Sequence, residues 1–245
     1  RKASRIASEG IIGQWISDDG SQAVMVEVNC ETDFVAKDES FGIFVAQIIQ
    51  VIAVNRPTDL EALGELALGA SGSVNEARLV LIGRVGENIG IRRFECIEAA
   101  SGSVLSGYLH GQRIGVVMGV KGGQSSLGRD LAMHVAASRP LAILPSGIAP
   151  ELLEREKNIV IAQAAESGKA DAIVEKMVAG RMTKFVRANT LVGQAFVKNL
   201  ETTVEGLLEL EGAEVSAMVC YEVGEGLEKR SDDFVAEVMA QAQAG

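Results

Sequence analysis

Aromatic rings are scarce in this chain of 245 residues: one Trp, two Tyr and seven Phe, 4% of the total. Its core must therefore be built mainly from Val, Ile, Leu, Ala and Met. Cysteine is scarcer, and the three residues Cys30, Cys96 and Cys220 are far apart and odd in number. A disulfide framework is excluded on that count, and because each lies in an apolar run the expectation is buried thiols in a reducing compartment. The two histidines, His110 and His134, stand at no ligand spacing from a cysteine, so no zinc site is predicted. Positive charge is also in deficit: 23 Lys and Arg face 33 Asp and Glu, for a net charge of -10. That balance argues against non-specific nucleic-acid binding, with only short basic clusters at Arg1, Lys2 and Arg5 and at Arg92-Arg93. It suits a protein partner, a small ligand or solubility. No apolar run is long enough for a membrane span and no signal-peptide pattern is visible, so no membrane partner and a cytoplasmic setting are expected. Proline is limited to four residues, and the 27 glycines follow no fixed period, which excludes collagen-like chains.

What is present is a sequence of α+β character. Ile11–Ile16 and Ala23–Val28 read as strands around an Asp18-Asp19-Gly20 loop, with Val24, Val26 and Val28 on one face. Ser40–Ala53 carries Phe41, Phe44, Val45, Ile48 and Ile52 at helical spacing and stops near Arg56-Pro57. Thr58 is placed to cap a short helix containing Leu60 and Leu63, and residues 76–82 fit a helix or a strand. A second strand pair follows, Ser103–Leu109 and Arg113–Lys121, then a helix over Leu127–Ser138 that stops at Arg139-Pro140. The plan from Trp15 to Arg56-Pro57 is thus echoed from Tyr108 to Arg139-Pro140, which suggests two related lobes. Pro150–Ala165 and Ala170–Val186 read as two helices around Ser167-Gly168-Lys169, an antiparallel hairpin. A short helix over Thr203–Leu210, a strand over Ala217–Val223 and a terminal helix capped by Ser231 or Asp232 complete the chain.

The motifs for chemistry are thin. Gly83 to Gly90 is GxxGxxxG, not the dinucleotide-binding GxGxxG, and Gly119 to Ser125 lacks the Gly-Lys-Ser/Thr end of a P-loop. The densest segment is Glu27-Val28-Asn29-Cys30-Glu31-Thr32-Asp33-Phe34-Val35-Ala36-Lys37-Asp38, where a strand gives way to a helix. Asp33 and Asp38 could pair for a hard metal or for acid–base work, which would make the chain a metal-dependent hydrolase. Both acids equally fit the start of a helix, Asp38 as its cap and Asp33 against backbone N–H groups near Phe34. Phe34 is either a core ring or an anchor for a partner protein. A third reading is a non-catalytic assembly module built on the hairpin. Local chemistry leaves these open.

Several blocks in fixed order narrow the choice. Val28–Asp38, Val85–Arg93 (Val-Gly-Glu-Asn-Ile-Gly-Ile-Arg-Arg), Gly107–Gly111, Ala132–Ser138, Glu175–Met182 and Glu222–Gly226 together resemble the bacterial elongation factor Ts family, over essentially the whole chain. The resemblance implies a guanine-nucleotide exchange factor for elongation factor Tu, which promotes GDP release in translation elongation and is not an enzyme. It implies no cofactor or metal of its own, only an indirect effect on the GDP and magnesium held by the partner. The implied fold is α+β: duplicated lobes with small antiparallel sheets and flanking helices, plus a projecting antiparallel helical hairpin. The expected divisions are a linker at 1–9, a first lobe at 10–99, a second at 100–149 and 188–223, the hairpin at 150–187 and a C-terminal helical module at 224–245. By the same resemblance Asp33 and Phe34 act at the partner's magnesium and phosphate site, Val85 and Gly86 form a second contact, and His110 meets another domain of the partner. Val85 stands where the family usually has Ile. The helix around Asp233-Phe234-Val235-Ala236 is expected to touch the nucleotide domain, and the hairpin to allow a homodimer. A ubiquitin-associated-like helical module expected before Arg1 is not in the sequence.

Overall fold

The computed structural model describes residues 5–166 and 170–227. The expected terminal helix, its Asp233–Ala236 echo and the Ser167–Lys169 turn lie outside the described residues. The elements run β1 (Glu9–Ile16), β2 (Gln22–Cys30), α1 (Asp33–Ala36), α2 (Glu39–Asn55), α3 (Leu60–Glu65), α4 (Val74–Val85), β3 (Gly90–Glu98), β4 (Ser103–His110), β5 (Ile114–Lys121), α5 (Leu127–Ser138), α6 (Pro150–Ala165), α7 (Asp171–Asn189), β6 (Ala195–Phe196), β7 (Asn199–Thr203), α8 (Val204–Glu211) and β8 (Glu214–Glu222). Small antiparallel sheets with flanking helices result, in the orders β1-β2-β3, β4-β5-β8 and β6-β7. The chain divides into two compact units. One takes the chain up to Gly13, Val24–Cys96 and the chain from Tyr221; the other takes Gln14–Ala23 and Ile97–Cys220.

In the first unit, α2 forms for the reasons its sequence offers. Asp38 Oδ1 accepts from the backbone N–H of Ser40 (2.9 Å) and Phe41 (3.4 Å), and Phe41, Phe44, Val45, Ile48 and Ile52 are all buried. The helix ends at Arg56 in the left-handed region (φ 48°), one residue before Pro57. Three expectations change here. Every side chain from Ala23 to Cys30 is buried, so β2 is covered on both faces rather than the one that alternation suggested; Glu27 and Asn29 take the other face because their polar groups bond each other. Thr58 is not the cap of α3: Asp59 is, accepting from Ala62 N–H at 2.8 Å, and Thr58 donates its hydroxyl to Asp59. Residues 76–82 are helix, because Ser73 and Glu76 make a reciprocal capping box that starts α4.

In the second unit, β4 and β5 pair antiparallel from Ser103↔Lys121 to His110↔Ile114. The turn between them has positive φ at Gly111 (54°) and Gln112 (58°), the pattern that matches strand twist. Val116, Met118 and Val120 pack with Leu131, Val135, Leu191, Phe196 and Leu208. Helix α5 ends at Arg139 in the left-handed region (φ 49°) before Pro140, as α2 ends at Arg56. Strands β6 and β7 pair antiparallel, Ala195 opposite Thr203 and Phe196 opposite Asn199. Buried His134 crosslinks this region. Val197 N–H donates to its Nδ1 (3.2 Å), so Nε2 carries the ring proton and donates to Gln194 Oε1 (2.8 Å). Helices α6 and α7 share Val160, Ala164, Val178, Val174 and Met182, and Arg181 Nη1 donates to Gln163 Oε1 at 2.8 Å. Of the cysteines only Cys30 is buried; Cys96 and Cys220 are half-buried, contrary to expectation.

Candidate functional site

The segment after β2 leaves the core abruptly. Cys30 is fully buried, and burial, with Glu87 nearby, pushes its thiol up to about 12, so it is an unreactive apolar group at neutral pH. Four residues later Phe34 is 81% exposed. The reversal is made by α1, a single helical turn. Thr32 is its cap, with Oγ1 accepting from Val35 N–H at 3.4 Å, while Val35 itself is buried and pins the turn's underside. The core reading of Phe34 fails here: Val35 takes the inward position, and a helical turn sends its neighbour outward. Asp33 Oδ2 accepts from Lys37 Nζ at 2.8 Å, an exposed pair four residues apart.

Asp38 is accounted for differently. Its carboxylate holds the first turn of α2 through Ser40 and Phe41, and the Ser40 hydroxyl and the backbone bonds depress its pKa below the ordinary value. A carboxylate committed to a cap and one paired with lysine do not converge on a cation. Among the described residues no group of three or more His, Cys, Asp or Glu is arranged to hold a metal ion.

Val85 and Gly86 belong to the same unit as Asp33 and Phe34. Val85 is the last residue of α4 and Gly86 its left-handed cap (φ 81°), a conformation glycine adopts without strain. The two segments are joined by side chains that sequence reasoning missed. Thr32 N–H and Oγ1 donate to Glu87 Oε2 (3.0 Å) and Oε1 (2.7 Å), and Asn88 N–H donates to Glu31 Oε1 (2.7 Å). Nothing in local spacing marks pairs 55 to 57 residues apart.

Deeper in the same unit, Glu27 is a fully buried carboxylate. It accepts from Arg92 Nη1 (3.1 Å), Arg93 Nε (2.7 Å), Asn29 Nδ2 (3.0 Å) and Gly224 N–H (2.8 Å). Burial alone would raise its pKa, but the Gly224, Asn29, Arg93 and Arg92 bonds outweigh it and hold the group below the ordinary carboxylate value. Arg93 also lies over the Tyr221 ring, 4.1 Å from its centroid. The Arg92-Arg93 pair read in sequence as a basic cluster is thus largely an internal counter-ion.

His110 lies in the second unit, exposed at the end of β4, with Tyr108 Oη 3.1 Å from its Nδ1. Among the described residues no carboxylate, serine or cysteine is bonded to it.

These features have the chemistry of a contact surface: an exposed ring on a braced turn, beside acids spent on a cap and an ion pair. A protein that works by touching another protein is the class the exposed ring fits. The comparison with known proteins is specific. The family profile described as Elongation factor TS matches residues 31–225. The chain is 51% identical over 244 residues to the Elongation factor Ts of Thioalkalivibrio sulfidiphilus, covering 99% of this chain and 83% of that protein. It is 47% identical over 245 residues to that of Aromatoleum aromaticum, covering 100% and 82%. The match to that of Nitrosomonas eutropha is 48% over 241 residues, covering 98% and 81%. The chain belongs to the elongation factor Ts family.

Proposed function

We propose that the Asp33–Phe34 turn is the element through which this chain drives GDP from elongation factor Tu. The chain is a guanine-nucleotide exchange factor for that partner in translation elongation, by family membership, and exchange needs no covalent step. The observation that carries the site is the ring of Phe34, 81% exposed on a turn whose neighbour Val35 is anchored in the core. A Phe left in water at that cost has most to gain by entering an apolar crevice, worth about 1.5–3 kcal/mol for full burial. The crevice lies beside the partner's magnesium and phosphate site. Asp33, oriented by Lys37, presents its carboxylate there and displaces the polar groups that coordinate the nucleotide. Because the exchange factor favours the state with weakened coordination, bound GDP and magnesium must weaken its own binding by the same factor.

Val85 and Gly86 form a second contact beside the first. His110, the last residue of β4 in the second unit, meets another domain of the partner, with Tyr108 fixing its ring. Two further readings accompany this one. The lobes descend from a duplication, a view supported by the pairs β1–β2 and β4–β5 preceding α2 and α5, each of which ends on a left-handed Arg before Pro, at φ 48° and 49°. The helices of residues 151–187 form a projecting hairpin through which two copies associate; their shared groove, lined by Leu153, Ile161, Val174, Met182 and Val186, is open and apolar.

The test is release of a fluorescent GDP from elongation factor Tu in excess unlabelled GDP. The chain should accelerate release, and Phe34→Ala should reduce the acceleration about tenfold or more, the kinetic equivalent of the ring's burial. Its circular dichroism should not change, since the ring supports no core contact. An unchanged rate in the variant removes Phe34 from the mechanism.

A further inference from the structure

A single helical turn is poorly stable by itself, because nucleation fixes several residues for one hydrogen bond. Helix α1 has four residues. Whether Phe34 stands where a partner can use it therefore depends on what braces the turn from outside, and the bracing is visible.

The Thr32 hydroxyl has two tasks. It accepts from Val35 N–H as the cap of α1 (3.4 Å), and it donates its hydrogen to Glu87 Oε1 (2.7 Å). Spending the hydrogen on Glu87 turns a lone pair toward Val35, so the carboxylate of Glu87 selects the rotamer that caps the turn. The other oxygen, Oε2, accepts from Thr32 N–H at 3.0 Å, fixing the backbone one residue before Asp33. A parallel bond from Asn88 N–H to Glu31 Oε1 (2.7 Å) prevents the two segments from sliding past one another. Glu31 is in turn held by Arg5 Nη1 at 3.7 Å, and Asn88 Nδ2 donates to Arg5 O at 2.7 Å. Glu87 directly follows Gly86, so one residue sets the cap of the first contact segment and closes the second.

We infer that Glu87 is a positioning residue for nucleotide exchange: it touches no partner, and it holds the Phe34 turn in the conformation that binds. The inference rests on the function proposed above. Its signature follows from conformational selection. If removing Glu87 lowers the fraction of chains with a competent turn, apparent affinity falls by that fraction, while the complex, once formed, is unaltered.

The experiment titrates the chain into elongation factor Tu carrying fluorescent GDP and extracts both the saturated release rate and the half-saturating concentration. Loss of two hydrogen bonds to a carboxylate should raise the half-saturating concentration of Glu87→Ala about tenfold, with the saturated rate close to that of the unaltered chain. Glu87→Gln has one acceptor oxygen for the two Thr32 hydrogens that the carboxylate accepts, and should recover only part of the affinity. Thr32→Val, lacking only the hydroxyl, should lose affinity in the same parameter. Thermal melts establish that each variant is folded at the assay temperature; if Glu87→Ala is not, the Gln and Val variants carry the same comparison. A fall in saturated rate at unchanged half-saturating concentration overturns the inference, as does no change in either. Phe34→Ala in the same titration separates the two levels. If it slows release while the Glu87 variants do not shift affinity, Glu87 is only structural and the proposed function stands. If Phe34→Ala has no effect, the proposed site itself fails.

Discussion

Glu27→Ala is the substitution whose cost the structure specifies most fully. The carboxylate is completely buried and accepts from Arg92, Arg93, Asn29 and the Gly224 N–H, at distances from 2.7 to 3.2 Å. Removing one partner of a buried ion pair costs about 3–5 kcal/mol, because the surviving charge and donors stay desolvated. Here the two arginine side chains are 25% and 30% exposed and can turn partly to water, which places the cost near the low end, about 3 kcal/mol. For a chain of this size that is a fall in Tm of roughly 6–12 °C. The pH dependence has a definite sign. The folded carboxyl is held below its ordinary value of 4.5, so its contribution is fully present above pH 4.5 and lost as pH falls through the lower folded value. Urea unfolding followed by circular dichroism should therefore show a constant gap between the chain and Glu27→Ala from pH 7 to pH 5, narrowing in stronger acid. Amide exchange at Gly224 should accelerate in the variant, since its N–H loses its acceptor. A gap under about 1 kcal/mol at pH 7 would refute the reasoning, because it would mean the arginines and the amide are as well solvated without Glu27 as with it.

Two other outcomes follow from the second unit. Burial holds His134 below its ordinary pKa of 6.5, and the bare Nδ1 that accepts from Val197 N–H cannot take a proton without losing that bond. Stability should thus be flat above pH 6.5 and decline as pH falls from there toward the lower folded value. A magnetic-resonance titration showing His134 fully protonated at or above pH 6.5 contradicts this. The hairpin proposal predicts that replacing residues 151–187 by a short glycine linker reduces the size of the chain in solution by light scattering; an unchanged oligomeric state removes the hairpin from assembly.

Much of the architecture was legible along the chain. The apolar stripe of α2, the Arg-Pro stops of α2 and α5 and the β4–β5 pair depend on periods of two and 3.6 residues and on the backbone limits of proline, all local effects. The box Ser73-Val74-Asn75-Glu76 was equally local and decides that residues 76–82 are helix. The cap of α3 slipped by one residue because Thr58 and Asp59 are both good caps, and only the backbone decides which one faces Ala62 N–H. The face pattern of β2 misled because alternation reports polarity, whereas Glu27 and Asn29 are polar groups satisfied inside.

Local periods and ordered blocks such as Val28–Asp38 and Val85–Arg93 carry the α+β class, most of the element order and the family. The sequence singled out the Asp33–Phe34 junction, yet left the ring free to be core or contact and the acids free to be ligands or caps. The folded chain takes the ring out of the core and spends Asp38 on a cap. Phe34 faces water because Val35 claims the buried position, Asp38 is spent on the start of α2, and Glu27 serves arginines more than 60 residues away. Thr32 and Glu87 meet across 55 residues. A side chain's environment depends on which distant segments fold onto it, and no local period records that.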